Sequence, residues 1–147
     1  MTDVRRSVNE LRPDALEQRD LLSAIHKMIS QMSATSKVEI TLDNSAGRLT
    51  LGEDEEEVIY RIIQESITNS IRHGKADKVR IWMTREYNIV TITIKDNGVG
   101  APNIEPGFGL THMKERLDML GGKIHVDGSD GFCLMAEIPI RWGKEND

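Results

Sequence analysis

Residues 78–96 read KVRIWMTREYNIVTITIKD, two runs with an apolar residue at every second position, joined near REYN. Period-2 alternation sends the apolar side chains of a strand to one face. Two such runs with a short polar link predict an antiparallel hairpin. A hairpin is marginal alone, so its apolar face must be covered by another layer. The cover is written in helical periodicity elsewhere. After Pro13, whose ring forbids a regular helix through that point, a helix is expected from Asp14 as N-cap, with Leu16, Leu21, Leu22, Ile25, Met28 and Ile29 in one stripe. A second begins at the acidic run EDEEE, residues 53–57, continues through His73 and stops at Gly74. That run reads as a solvated helix start, its charges opposing the positive end of the helix dipole. LTHMKERLDML, residues 110–120, is a third helix, ended by Gly121 and Gly122.

Further strands are expected in KVEITLD, where Val38, Ile40 and Leu42 alternate with polar residues, and in KIHVDG and FCLMAEIPI near the end of the chain. RLTL, residues 48–51, reads as a short companion strand. The order of elements predicts an α+β fold, a two-layer α/β sandwich with helices on one face of a mixed, mostly antiparallel sheet. At 147 residues the chain is one domain in size. Its net charge of −5 offers no basic footprint for direct nucleic-acid binding. The single Cys133 makes neither an internal disulfide nor a CxxC metal site, which fits a reducing cytoplasm. No apolar run approaches the roughly 18 residues of a membrane span, so this stretch is expected to lie outside the membrane.

The second helix carries an anomaly. Ile59, Ile62, Ile63, Ile67 and Ile71, with Ser66 and Ser70, mark its buried arc. Val58 and Ile62 share an edge of that arc with Glu65, Asn69 and His73, so one stripe turns from apolar to polar partway along. A buried polar group left unpaired costs about 1–3 kcal/mol. Either a network inside the protein satisfies these groups, with His73 at a favourable helix C-terminus, or a ligand does. Two further clusters bear on the choice. IKDNGVG ends a strand at Asp96 and follows it with Gly98 and Gly100. A tight Asn-Gly hairpin turn is the plain reading, but the following VGAPNIEPG, with two prolines and no alternation, is no returning strand. A carboxylate beside small glycines suits the exocyclic amine of a base. In GFGL, Gly107 and Gly109 directly precede a helix, where backbone N–H groups and the dipole favour an anion, although a plain loop before a helix has the same pattern. Asn69 adds a neutral oxygen of the kind Mg²⁺ accepts. An amine acceptor, a phosphate cradle and a metal ligand are what a nucleoside triphosphate needs. There is no GxxxxGK[ST] loop and no GxGxxG between a strand and a helix.

QESITNSIRHG, DNGVG and GFGL resemble, in order and spacing, the N, G1 and G2 boxes of the GHKL (Bergerat-fold) ATPase superfamily. The flanks VRRSVNELRPDALEQRDLLSAI and GFGLTHMKERLDMLGG are similar to sensor histidine kinases of the NarX-like and DesK-like class. The resemblance implies ATP (or ADP) and Mg²⁺ as ligands, with Asn69 coordinating the metal and Asp96 holding the adenine amine. It implies that Gly98 and Gly100 shape the base pocket and that Gly107, Gly109 and Leu110 belong to a mobile lid. Glu65 falls at the N-box carboxylate, implied either to activate water or to support the metal site, and Arg72 or His73 to approach the phosphates. The family often has Gly-Thr leading into the last strand; here Gly131, Phe132 and Cys133 stand there, which implies a missing hydroxyl contact. A phosphoacceptor histidine followed by an acidic residue is also absent, since His26, His73, His112 and His125 precede Lys, Gly, Met and Val. His26 and His112 read as helix-surface or packing residues and His125 as a strand residue.

The expected organisation is therefore the end of a dimerisation helix and linker over 1–13, an ATP-binding catalytic domain over 14–141 and a tail over 142–147. The implied reaction is transfer of the ATP γ-phosphoryl group to a histidine on a dimerisation domain outside this chain, with the general base on that missing helix. A response regulator would be met through the full-length kinase. Another GHKL enzyme, such as an ATPase or an anti-sigma serine kinase, and a non-catalytic interaction module are the alternatives.

Overall fold

The computed structural model describes residues 20–47, 51–72, 75–98, 110–127 and 131–140. Helix α1, Leu21–Ser36, is capped by Asp20, whose side chain accepts a hydrogen bond from the Ser23 N–H at 2.8 Å. Asp20 has extended backbone, with φ −72° and ψ 169°, so the helix expected to run on from Asp14 is interrupted there and the N-cap is Asp20. Both residues are aspartates ahead of an apolar stripe, and periodicity does not choose between them. Asp14 and Leu16 lie outside the described residues, as do the 1–13 segment, the 142–147 tail and most of the expected RLTL strand. α1 ends at Lys37 in the left-handed region, φ 65°, whose N–H donates to the Ser33 carbonyl at 2.8 Å.

Strand β1, Glu39–Asn44, runs parallel to β2, Lys78–Glu86. β2 turns through Tyr87 and Asn88 into the antiparallel β3, Ile89–Asp96, and Tyr87 takes φ 58° in that two-residue link. β4, Lys123–Asp127, and β5, Cys133–Pro139, form the second hairpin, and β5 pairs with β3. The sheet order is β1-β2-β3-β5-β4, one parallel and three antiparallel pairings. One face carries Ile40, Val79, Ile81, Met83, Val90, Ile92, Ile94, Leu134, Ala136 and Ile138, all buried. Residues of the other face, such as Arg80, Met135 and His125, are exposed.

The buried face is covered by α1, by α2, Glu53–Arg72, and by α3, Leu110–Met119. α1 packs on α2 and β1, α2 on β3, and α3 on α2 and β4. Ile59, Ile62, Ile63 and Ile67 of α2 fill the centre, each side chain contributing roughly 1.5–3 kcal/mol by burial. The acidic run that opens α2 departs from its expectation. Glu53 and Asp54 are exposed, but Glu55 and Glu57 are buried. Glu55 turns back to accept the Gly52 N–H at 2.9 Å, satisfying a donor at the helix start, and Glu57 is taken up by arginines. His26, His112 and His125 are all exposed, in keeping with surface positions on two helices and a strand.

Candidate functional site

The site is built outward from the last residue of β3. Asp96 is only 4% exposed, and its backbone N–H donates to the Phe132 carbonyl at 3.0 Å, extending the β3–β5 ladder by one rung. Its Oδ1 accepts two backbone N–H groups, from Gly98 at 2.9 Å and from Phe132 at 3.0 Å. Its Oδ2 is buried and has no hydrogen-bond partner among the described residues. One carboxylate oxygen is thus pinned by two donors while the other keeps its acceptor capacity open, an arrangement costly in a folded protein unless a further donor completes it.

Gly131 makes this clamp possible. It sits at φ +73°, and a Cβ there would lie 2.6 Å from the Asp96 carbonyl oxygen and 3.4 Å from its Oδ1. Only glycine accepts both the left-handed backbone and that approach. Asn97 braces the same end of the sheet. Its Oδ1 accepts from the N–H groups of Asp77 and Lys78, each at 3.0 Å, its amide donates to the Asp77 carboxylate, and its own N–H donates to the Lys78 carbonyl at 3.2 Å. Neither role was read from the sequence, where Asn97 looked like half of a turn and Gly131 like a departure from a family pattern.

The C-terminal half of α2 arrives at the same end. The Ala76 N–H donates to the Ser70 carbonyl at 3.3 Å, Asp77 and Lys78 are held by Asn97, and Val79 lies opposite Asp96 in register. The helical turn that carries Asn69 and Ser70 is therefore tied by consecutive hydrogen bonds to the strand end that carries Asp96. Asn69 is 6% exposed and faces inward, while Glu65 is half-buried. Ser66 and Ser70 are buried with hydroxyls that lack a partner among the described residues. Arg72 is exposed and lines a crevice of about 300 Å³ between α1 and α2 with Met32, Thr68 and Ile71. His73, Gly100, Gly107 and Gly109 lie outside the described residues; Gly98 is half-buried on Asp96, and Leu110 opens α3. Among the described residues no three His, Cys, Asp or Glu side chains converge as a metal cage.

Residues 54–141 match the family described as Histidine kinase-, DNA gyrase B-, and HSP90-like ATPase. Over 142 residues the chain is 30% identical to the signal transduction histidine-protein kinase/phosphatase UhpB of Salmonella typhimurium, covering 95% of this chain and 28% of that protein. It is 32% identical over 149 residues to the sensor histidine kinase ComP of Bacillus subtilis, covering 95% of this chain and 19% of that one. The chain thus spans from 19% to 28% of the length of these relatives. Among solved structures, the catalytic domain of histidine kinase ThkA superposes with a TM-score of 0.67 at 18% identity, over 82% of this chain and 92% of that one. The Erythrobacter litoralis EL346 blue-light activated histidine kinase also gives 0.67 at 18% identity, over 84% of this chain and 42% of that one.

Proposed function

The chain belongs to the family of histidine kinase-, DNA gyrase B- and HSP90-like ATPases, and on that premise we propose that it is the ATP-binding catalytic domain of a two-component sensor histidine kinase. The observation that carries the nucleotide part is the buried Asp96 Oδ2 with no partner among the described residues, beside an Oδ1 already held by two N–H groups. Such an oxygen fits the exocyclic amine of adenine. Gly98, bound to the same carboxylate, gives the base a flat approach, as Gly100 does in this reading.

At the other end of the site, Asn69 supplies a neutral oxygen for Mg²⁺, which commonly takes one or two protein ligands and completes its shell with phosphate oxygens and water. Absence of a carboxylate cage among the described residues is compatible with that mode. Glu65, one helical turn before Asn69, supports the metal site or a proton transfer. In this reading Gly107 and Gly109, directly ahead of α3 in the sequence, and Leu110 are assigned to the phosphates as N–H donors, and Arg72 or His73 is assigned as a cation for them. When bound, Mg²⁺ neutralises charge on the phosphates. The chain's own part is positioning: it fixes the base by Asp96, holds the phosphates near α3 and excludes water while the γ-phosphoryl group is presented to an incoming histidine.

The acceptor histidine belongs, in this reading, to a dimerisation domain of the same protein, a response regulator receives the phosphate afterwards, and the reaction takes place in the cytoplasm. The test supplies the dimerisation domain in trans with γ-labelled ATP and Mg²⁺. Acid-labile label on that domain is the expected result. Label released only as free phosphate, or found as acid-stable phosphoserine, would contradict the histidine-kinase reading in favour of another ATPase or a serine kinase.

A further inference from the structure

We infer that Glu57 and Arg116 are positioning residues for the phosphate half of the nucleotide site, an inference that rests on the reading above. Glu57 is 6% exposed, and its Oε2 receives Arg116 Nη1 from α3 at 2.8 Å and Arg61 Nε from its own helix at 3.4 Å. The pair is the polar bolt between α2 and α3. α3 is otherwise thinly held: among residues 112–119 only Met113 and Leu117 are buried, and Arg116 is half-buried, while the rest face solvent.

With Glu57 buried and Arg116 half-buried, the pair is a poor device for stability, because desolvation of the carboxylate and solvent screening of the guanidinium offset most of their attraction. Its distinguishing property is direction. A guanidinium on a carboxylate oxygen fixes both the rotation and the axial register of one helix against another, whereas a methionine on a leucine lets them slide.

What is registered is the site. α2 carries Glu57 near its start and Asn69 about 18 Å further along its axis. α3 carries Arg116 about 9 Å from Leu110, the residue that follows the Gly107-Phe108-Gly109 stretch. One rigid helix therefore bears both the amide assigned to the metal and the anchor of the helix whose N-terminus is assigned to the phosphates. The Glu57–Arg116 contact sets the separation of those two groups. Asp96, fastened through Phe132, Gly98 and the sheet, does not depend on it. Loosening the bolt should thus affect phosphates and spare the base.

The test compares calorimetric affinities for Mg·ATP and for adenosine in the wild type and in Glu57→Gln/Arg116→Met, which removes both charges while keeping similar shapes. Adenosine affinity should stay within about twofold and ATP affinity fall by about tenfold, with a cooperative thermal transition retained. Arg116→Lys keeps the charge but loses the planar fork, and serves if the double variant does not fold; it should show the same selective loss in smaller measure. Parallel losses for both ligands, or an unchanged ratio of affinities, would overturn the inference alone. A wild-type chain that binds neither ligand would overturn the nucleotide reading and this inference with it.

Discussion

Replacing Gly131 by alanine should cost far more than one methyl group suggests. At φ +73° an alanine pays about 1–2 kcal/mol for the left-handed backbone. Its Cβ would lie 2.6 Å from the Asp96 carbonyl oxygen, a backbone atom that cannot rotate away. Relief requires β3 and the residues leading into β5 to part, lengthening the two 3.0 Å hydrogen bonds that join Asp96 to Phe132, one from each backbone N–H. Each is worth about 1 kcal/mol net. The sum is about 3–4 kcal/mol, or roughly 9–12 °C in Tm for a domain of this size. Urea unfolding followed by circular dichroism measures the first quantity, and calorimetric titration of the folded variant with ATP measures the displacement of Asp96. A Gly131→Ala protein within about 0.5 kcal/mol of wild type, with undiminished ATP affinity, would refute the view that this glycine holds the acceptor in place.

Three other substitutions test smaller parts of the fold. Asp20→Ala removes the α1 cap and should lower stability by about 1 kcal/mol in urea unfolding. Lys37→Gly should do the opposite: Lys37 ends α1 at φ 65°, and glycine relieves that strain, raising the urea midpoint by the equivalent of about 0.5–1 kcal/mol. Burial raises the Tyr60 pKa above its ordinary value, Arg61 opposing with a smaller downward effect. With the folded value above the unfolded one, the neutral phenol's contribution is complete below pH about 10 and is lost as pH rises through the folded value; Tyr60→Phe should flatten the decline of the urea midpoint on the alkaline side.

Periodicity in the sequence carries the fold, whereas contacts between distant segments decide the features it leaves unmarked. The alternation of residues 78–96 identified the central hairpin, because a period-2 pattern has one structural meaning when two runs adjoin. The polar edge of α2 is also legible: Asn69 is buried and Glu65 half-buried. By contrast, EDEEE looked like a solvated helix start, since nothing local reveals that an arginine about 60 residues downstream reaches Glu57. Asp14 and Asp20 offer the same capping side chain, and only the extended backbone at Asp20 identifies the cap of α1. At the site, Asp96 was visible from its strand-end position beside glycines. The groups that hold it, Phe132 N–H and the close approach of Gly131, lead into the neighbouring strand β5, 36 residues away in sequence for Phe132. An unusual Gly-Phe leading into the last strand was the available signal.

The most direct measurement of the nucleotide reading is base selectivity in Asp96→Asn. Oδ1 must go on accepting the Gly98 and Phe132 N–H groups, so the amide nitrogen is forced into the place of the partnerless Oδ2, and an acceptor becomes a donor. Calorimetric titration should find that the wild type prefers ATP to inosine triphosphate, whose base bears a carbonyl where adenine bears its amine. In the variant, ATP affinity should fall by at least about tenfold and the preference should reverse. If Asp96→Asn binds ATP as the wild type does, or keeps the same order of preference, Asp96 does not read the base.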